Sequence, residues 1–121
     1  LDYAEIRRIL KQWRSYAGYY FGDYYPLTPY NLDAESWIAW QFDVPESGEG
    51  MIQAFRRDRS VYETARFPLR GIDAQADYEV RSVDEPRAKV VSGKNLLEHG
   101  AMVTIGERPG AVVVVYRRVC R

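Results

Sequence analysis

The chain has 121 residues, with 17 Lys+Arg against 17 Asp+Glu, for a formal net charge of zero and a pI near 6.8. Residues 1–60 hold 7 basic and 9 acidic groups and residues 61–121 hold 10 and 8, so neither half has the basic excess of a duplex-binding domain, and nucleic acid is excluded as a partner. A single histidine and a single cysteine leave out metal clusters, disulfide frameworks and Ser/His or Cys/His catalysis.

From Asp2 to Ala17 the apolar positions Tyr3, Ile6, Leu10, Trp13 and Ala17 recur at spacings of three and four, with Glu5, Arg7, Arg8, Lys11 and Arg14 on the other faces. That pattern predicts an amphipathic helix. Asp2 is placed to cap its start, with Glu5 three residues on as a weak capping box, and Gly18 to end it. Residues 19–30 then combine six aromatics with two prolines and a glycine. Such a segment is too broken for a regular element and too apolar for a solvated linker, so a packed, irregular connector is expected.

Beyond Leu32 short strands alternate with turn chemistry. Trp37 to Asp43 alternates, which puts Ile38, Trp40 and Phe42 on the expected core face and Trp37, Ala39 and Gln41 on the expected outer one. Pro45 to Gly50 reads as a hairpin connection to a strand over Met51 to Arg57. Tyr62 to Leu69, a turn over Gly71 to Ala76, and Tyr78 to Val83 read as a second strand-turn-strand unit. Strands over Ala88 to Val91, Met102 to Ile105 and Val112 to Arg117 follow, joined by Ser92 to Lys94 and Glu107 to Gly110. The last is apolar on both faces and is expected to be central. One N-terminal helix followed by seven to eight such strands predicts a mostly β chain, an antiparallel sandwich. An apolar composition of 46% suits one domain with a real core. The longest apolar run, Ala111 to Tyr116, falls far short of the ~20 residues of a membrane-spanning helix, so a soluble chain with no membrane contact is expected.

Catalytic chemistry has little to stand on. No glycine-rich phosphate loop, nucleophile elbow or metal-ligand spacing occurs, so no catalytic residue, metal or cofactor is assigned. Cys120 reads as a stray terminal thiol and His99 as a turn residue ahead of Gly100. The run Arg56, Arg57, Asp58, Arg59 reads as salt-bridged or solvated surface. Most of the carboxylates lie in turns or on polar strand faces; Asp23, between Gly22 and Tyr24, is the exception, able to cap a turn, pair with an arginine or act in a site. Trp37, on the expected outer face, is a weak candidate for stacking on a sugar ring, with an interdomain contact the favoured reading.

Taken together, Tyr20-Phe-Gly-Asp-Tyr-Tyr-Pro-Leu-Thr-Pro-Tyr30, Trp37-Ile-Ala-Trp-Gln-Phe42, Gly48-Glu-Gly-Met-Ile-Gln-Ala-Phe-Arg-Arg57, Arg66-Phe-Pro-Leu-Arg-Gly-Ile-Asp73 and Tyr78-Glu-Val80 resemble the C-terminal region of glycoside hydrolase family 36, the bacterial α-galactosidases. In that family an (α/β)8 barrel carries the active site and a β-sandwich follows it. The resemblance implies that residues 1–18 are the last helix of a barrel, residues 19–32 an aromatic elbow between domains and residues 33–121 the sandwich. The start at Leu1 rather than Met fits a piece of a longer chain. The family's two catalytic aspartates lie upstream of Leu1, and none of their motifs matches a position here. The implied partner is therefore the barrel of the same polypeptide, with Trp13, Tyr20, Asp23, Tyr24 and Tyr25 as interface candidates and an α-galactoside or oligosaccharide bound through the parent. A carbohydrate-binding module and a homo-oligomerisation module are the alternatives. Compartment is not indicated.

Overall fold

The computed structural model describes residues 2–28, 37–57, 59–106 and 110–119. Helix α1 spans Tyr3–Tyr16, and the Asp2 carboxylate accepts hydrogen bonds from the backbone N–H groups of Ala4 and Glu5, satisfying donors that have no partner within the helix. Glu5 does not complete a capping box; it pairs with Arg8 one turn on, at 2.5 Å. Gly18 does not end the helix either. It has no left-handed backbone, and the chain instead tightens after Tyr16 into a 3-10 turn over Ala17–Phe21.

Eight strands follow among the described residues: β1 (Asp23–Pro26), β2 (Trp37–Val44), β3 (Glu49–Arg56), β4 (Thr64–Phe67), β5 (Asp77–Ser82), β6 (Lys89–Ser92), β7 (Ala101–Thr104) and β8 (Gly110–Val119), with a short helix α2 (Gly93–Glu98) between β6 and β7. They form a six-stranded sheet in the order β1-β2-β3-β8-β5-β6 and a two-stranded sheet β4-β7, with every pair antiparallel. The expected mostly β, antiparallel architecture with an N-terminal helix is the one observed, and β8 is central, between β3 and β5.

Four expectations are corrected. The connector contains a regular strand: β1 pairs with the far side of β2, and as the sheet's edge it tolerates Pro26, whose missing N–H deprives no ladder of a donor. Thr64–Phe67 and Asp77–Ser82 do not form a hairpin, because β4 joins β7 in the other sheet and β5 joins β8. Ser92 to Lys94 is not a turn but the start of α2, where the Ser92 hydroxyl caps the N–H of Asn95; six helical residues are too few to show a period in sequence. Gly50 belongs to β3 rather than to the hairpin loop, which turns at Gly48 with φ of +68°. His99 does lie in a turn, at the end of α2 before Gly100. Asp58, Cys120 and most of the Glu107 to Gly110 connection lie outside the described residues.

The core fills the space between the sheets. Trp37 and Ala39 of β2, Ile52 and Ala54 of β3, Val114 and Tyr116 of β8 and Tyr78 of β5 meet Phe67, Ala101 and Val103 of the small sheet, with Leu69, Ile72, Leu96 and Ile105 closing the ends. Each large apolar side chain buried there contributes roughly 1.5–3 kcal/mol. Arg56, expected at the surface, is also inside. Its guanidinium donates to the carbonyls of Ile105 and Ser60 at 2.7 and 2.9 Å, which ties the end of β3 to two loops.

Candidate functional site

The outer face of β2 and β3 carries an aromatic layer. Strand alternation places Trp40, Phe42, Met51, Gln53 and Phe55 there, opposite the core. The 3-10 turn and β1 bring Tyr20 and Tyr24 against Phe42, with ring centroids 5.1 and 5.5 Å away, while Trp40 lies 5.2 Å from Phe55. Aromatic pairs at such spacings contribute about 0.5–1.5 kcal/mol beyond area burial. Gln53 links the layer, accepting from the Trp40 indole N–H at 2.5 Å and donating to the Tyr20 hydroxyl. Met51 is fully buried beneath this cover.

The layer is not closed on its far side. Helix α1 buries none of its residues: Tyr3, Ile6, Ile9, Leu10 and Trp13 all remain exposed. Its described hold on the sandwich, apart from continuity with the 3-10 turn, is the Gln12 amide, which donates to the Val83 carbonyl and the Asp84 carboxylate at 3.1 and 3.0 Å. Phe21 is 94% exposed. A helix stripe, a bare phenylalanine and a half-covered aromatic layer are exposed apolar features of the kind that mark interaction sites.

Among the expected interface residues, Trp13, Tyr20 and Tyr24 lie exposed on this surface, and Tyr25 is half-buried in β1. Asp23 is exposed at the start of β1, directly opposite Asp43 of β2. Phe21 and the outer pair Trp40 and Phe55 were not anticipated; the period of two was visible, but it could not say which face would be covered. The two faces of β2 are in fact reversed. Trp37 is only 8% exposed, packed 6.0 Å from Phe67, with its indole N–H donating to the Tyr62 carbonyl. The expectation that it is the exposed tryptophan is therefore corrected. The reversal goes with Gln41 and Asp43, which share the Trp37 face: inside the sandwich Gln41 satisfies its amide and Asp43 bonds through one of its carboxyl oxygens.

That polar cluster is the second notable arrangement. The Gln41 amide donates to the Arg70 carbonyl and the Tyr116 hydroxyl at 2.8 and 2.7 Å, and its carbonyl accepts from the Arg70 N–H at 2.9 Å. Tyr116 in turn donates to Asp43 at 2.6 Å. The other Asp43 oxygen is buried without a partner, facing Gly71, where a Cβ would come within 2.5 Å of it and φ is +71°. Burial drives the Asp43 carboxyl above its usual range; the Tyr116 hydrogen bond opposes that, and the charges of Asp23 and Glu46 add to it. Burial and the Asp43 bond likewise raise Tyr116 far above the ordinary phenol value, so it stays a donor. The cluster fastens β2 and β8 to the Arg70 loop. Among the described residues no group of three or more His, Cys, Asp or Glu side chains is placed to hold a metal ion.

No protein-family model matches the chain, and no curated protein does. Among solved structures, it is similar to the α-galactosidase from Lactobacillus brevis, with a TM-score of 0.75 at 18% identity, covering 100% of this chain and 17% of that one. Two variants of a GH36 α-galactosidase from Geobacillus stearothermophilus also match. The one in complex with 1-deoxygalactonojirimycin gives a TM-score of 0.69 at 21% identity over 98% of this chain, and the one in complex with stachyose gives 0.65 at the same identity and coverage. Each match spans 16% of that enzyme. The whole chain thus has the fold of one domain's worth of these proteins.

Proposed function

We propose that this chain is a non-catalytic C-terminal β-sandwich module, with its leading helix, of an α-galactosidase-like glycoside hydrolase. Residues 1–18 belong to the barrel's helical layer, residues 19–32 form the elbow and residues 33–121 the sandwich. The module packs against the catalytic barrel and holds the two domains in one arrangement. The observation that carries this reading is α1, which presents five large apolar side chains along its length and buries none of them. An amphipathic helix of fourteen residues gains most of its stability from packing of its apolar face, and the sandwich does not supply that packing. The likeness to about one sixth of much longer α-galactosidases supports the same division.

The retaining hydrolysis of α-galactosides by two carboxyl groups belongs in this reading to the parent, and oligosaccharide reaches the module only through it. Two measurements test the proposal. The chain alone, assayed on an aryl α-galactoside, is expected to show no turnover above the uncatalysed rate; activity that survives repurification and vanishes in Asp23→Ala would overturn the non-catalytic assignment. The reading frame ahead of the Leu1 codon is expected to encode a pattern of alternating strands and helices several times longer than this chain, and a stop codon close upstream would sink the domain assignment.

A further inference from the structure

The two sheets of the sandwich differ in width, and the small one stops short. Strands β4 and β7 cover the β2, β3 and β8 side of the large sheet, where Trp37 meets Phe67. On the β5 and β6 side a cleft of about 370 Å³ remains, within the usual range for ligand sites. Its floor is the inner face of the large sheet, with Val80, Val91, Val112 and Val114. One of its walls is β7, and all four residues from Ala101 to Thr104 line it although their side chains alternate between faces. A strand lines a cleft in that way only along its edge. Since β4 occupies one edge of β7, the cleft follows the other.

The register says which backbone groups point into it. Ile105 N–H donates to the Glu63 carbonyl, and this pair continues the β4-β7 register. Hydrogen-bonded pairs alternate in an antiparallel ladder, so Val103 and Ala101 also bond to β4, and the N–H and C=O groups of Met102 and Thr104 face the cleft with no strand to receive them among the described residues. Charge around the opening is one-sided. Lys89 and Arg87 stand on the far wall with no ion pair among the described residues, and Arg66 reaches from β4 across Met102, its guanidinium 3.7 Å from the thioether sulfur. Glu85 is the single carboxylate lining the cleft. In a chain whose overall charge is zero, three cations against one acid is a local bias.

We propose that the free edge of β7 binds an extended acidic peptide segment of another protein as a third, antiparallel strand of the small sheet. Met102 and Thr104 supply the main-chain bonds. In that register the residues opposite Met102 and Thr104 point outward, toward Arg66 and the cationic rim, and are acidic; the residues between them point down onto the valine floor and are apolar.

A labelled, acetylated and amidated peptide of alternating glutamate and valine, N-methylated on its valines, tests this. It keeps hydrogen bonds on one edge only, so it can join β7 and cannot stack on itself. Saturable binding by fluorescence anisotropy, with slowed hydrogen exchange at the Met102 and Thr104 amides, is expected. The same peptide N-methylated on its glutamates, and a lysine-valine analogue N-methylated on its valines, are each expected to bind at least about tenfold more weakly. Met102→Pro removes an outward donor and leaves the β4 ladder intact, and should weaken binding by about tenfold or more. The doubly reversed Arg66→Glu, Lys89→Glu chain, altered only at exposed side chains, should do the same. No binding at millimolar peptide, equal binding of either control peptide, or a folded Met102→Pro chain that binds as well as the parent would overturn the proposal.

Discussion

Replacing Tyr116 by Phe removes one oxygen from the sandwich interior and leaves the ring. Two hydrogen bonds go with it, the 2.6 Å bond to Asp43 and the 2.7 Å bond from Gln41, and both Asp43 carboxyl oxygens become buried without a partner, since one already is. A hydrogen bond to a charged group contributes about 1.5–3 kcal/mol and a neutral one about 1. The expected loss is therefore about 3 kcal/mol while Asp43 is ionised and about 2 kcal/mol while it is protonated. The pH dependence has a definite sign. Burial raises the folded carboxyl above 3.8, so the stability it contributes is complete below that value and falls as pH rises through the folded pKa. The Tyr116 bond is the influence that lowers this pKa; without it the window moves to higher pH and the loss at neutrality deepens. Urea denaturation followed by tryptophan fluorescence, at roughly pH 4.5 and pH 7.5, compares the loss at an acidic pH with that at a more alkaline one. At the higher pH the melting temperature should fall by roughly 12 °C, at about 4 °C per kcal/mol for a domain of this size. A loss of the same size at both pH values, or one below about 1 kcal/mol at neutrality, would refute the account of Asp43 as a buried carboxyl held by this phenol.

Gly71→Ala places a methyl group against the Asp43 carboxylate at a left-handed backbone position and should cost at least about 2 kcal/mol in the same denaturation assay; a variant of unchanged stability would contradict the packing around Asp43. Arg56→Leu strips donors from the buried carbonyls of Ile105 and Ser60, so a loss of about 2–4 kcal/mol is expected, whereas a surface arginine would lose under about 0.5. Trp37→Ala should destabilise by about 3–5 kcal/mol as a core truncation, and galactose at millimolar concentration should leave the fluorescence of the unaltered chain unchanged. Leu10→Glu combined with Trp13→Glu breaks the exposed stripe of α1: light scattering should show less self-association while the sandwich melts within a few degrees of the parent, because neither side chain is part of the core.

Much of the outline was legible along the chain. Asp2 and the three-and-four spacing specified α1, and the glycine and proline punctuation marked most of the strands, because capping and alternation are local and survive whatever the rest of the molecule does. The aromatic connector read as packed and irregular, yet Tyr20, Phe21 and Tyr24 are exposed and part of it is a strand, since β1 exists only because β2 offers an edge that accepts a proline. Helix α2 left no periodic trace in six residues.

Local pattern thus sets the kind of each long element and the alternation of its faces. Which face of β2 turns inward is settled by contacts across the fold. Trp37-Ile-Ala-Trp-Gln-Phe42 offers aromatic rings to both sides, so hydrophobicity favours neither. The choice falls to Gln41 and Asp43, whose burial is tolerable only because Tyr116, 75 and 73 residues away along the chain, and the Arg70 backbone supply hydrogen bonds inside the sandwich. The same holds for the pairing of β4 with β7 rather than β5, and for the other edge of β7, which that pairing leaves without a strand among the described residues: partners in a sheet are set by which apolar faces close together in space, and no local pattern records that.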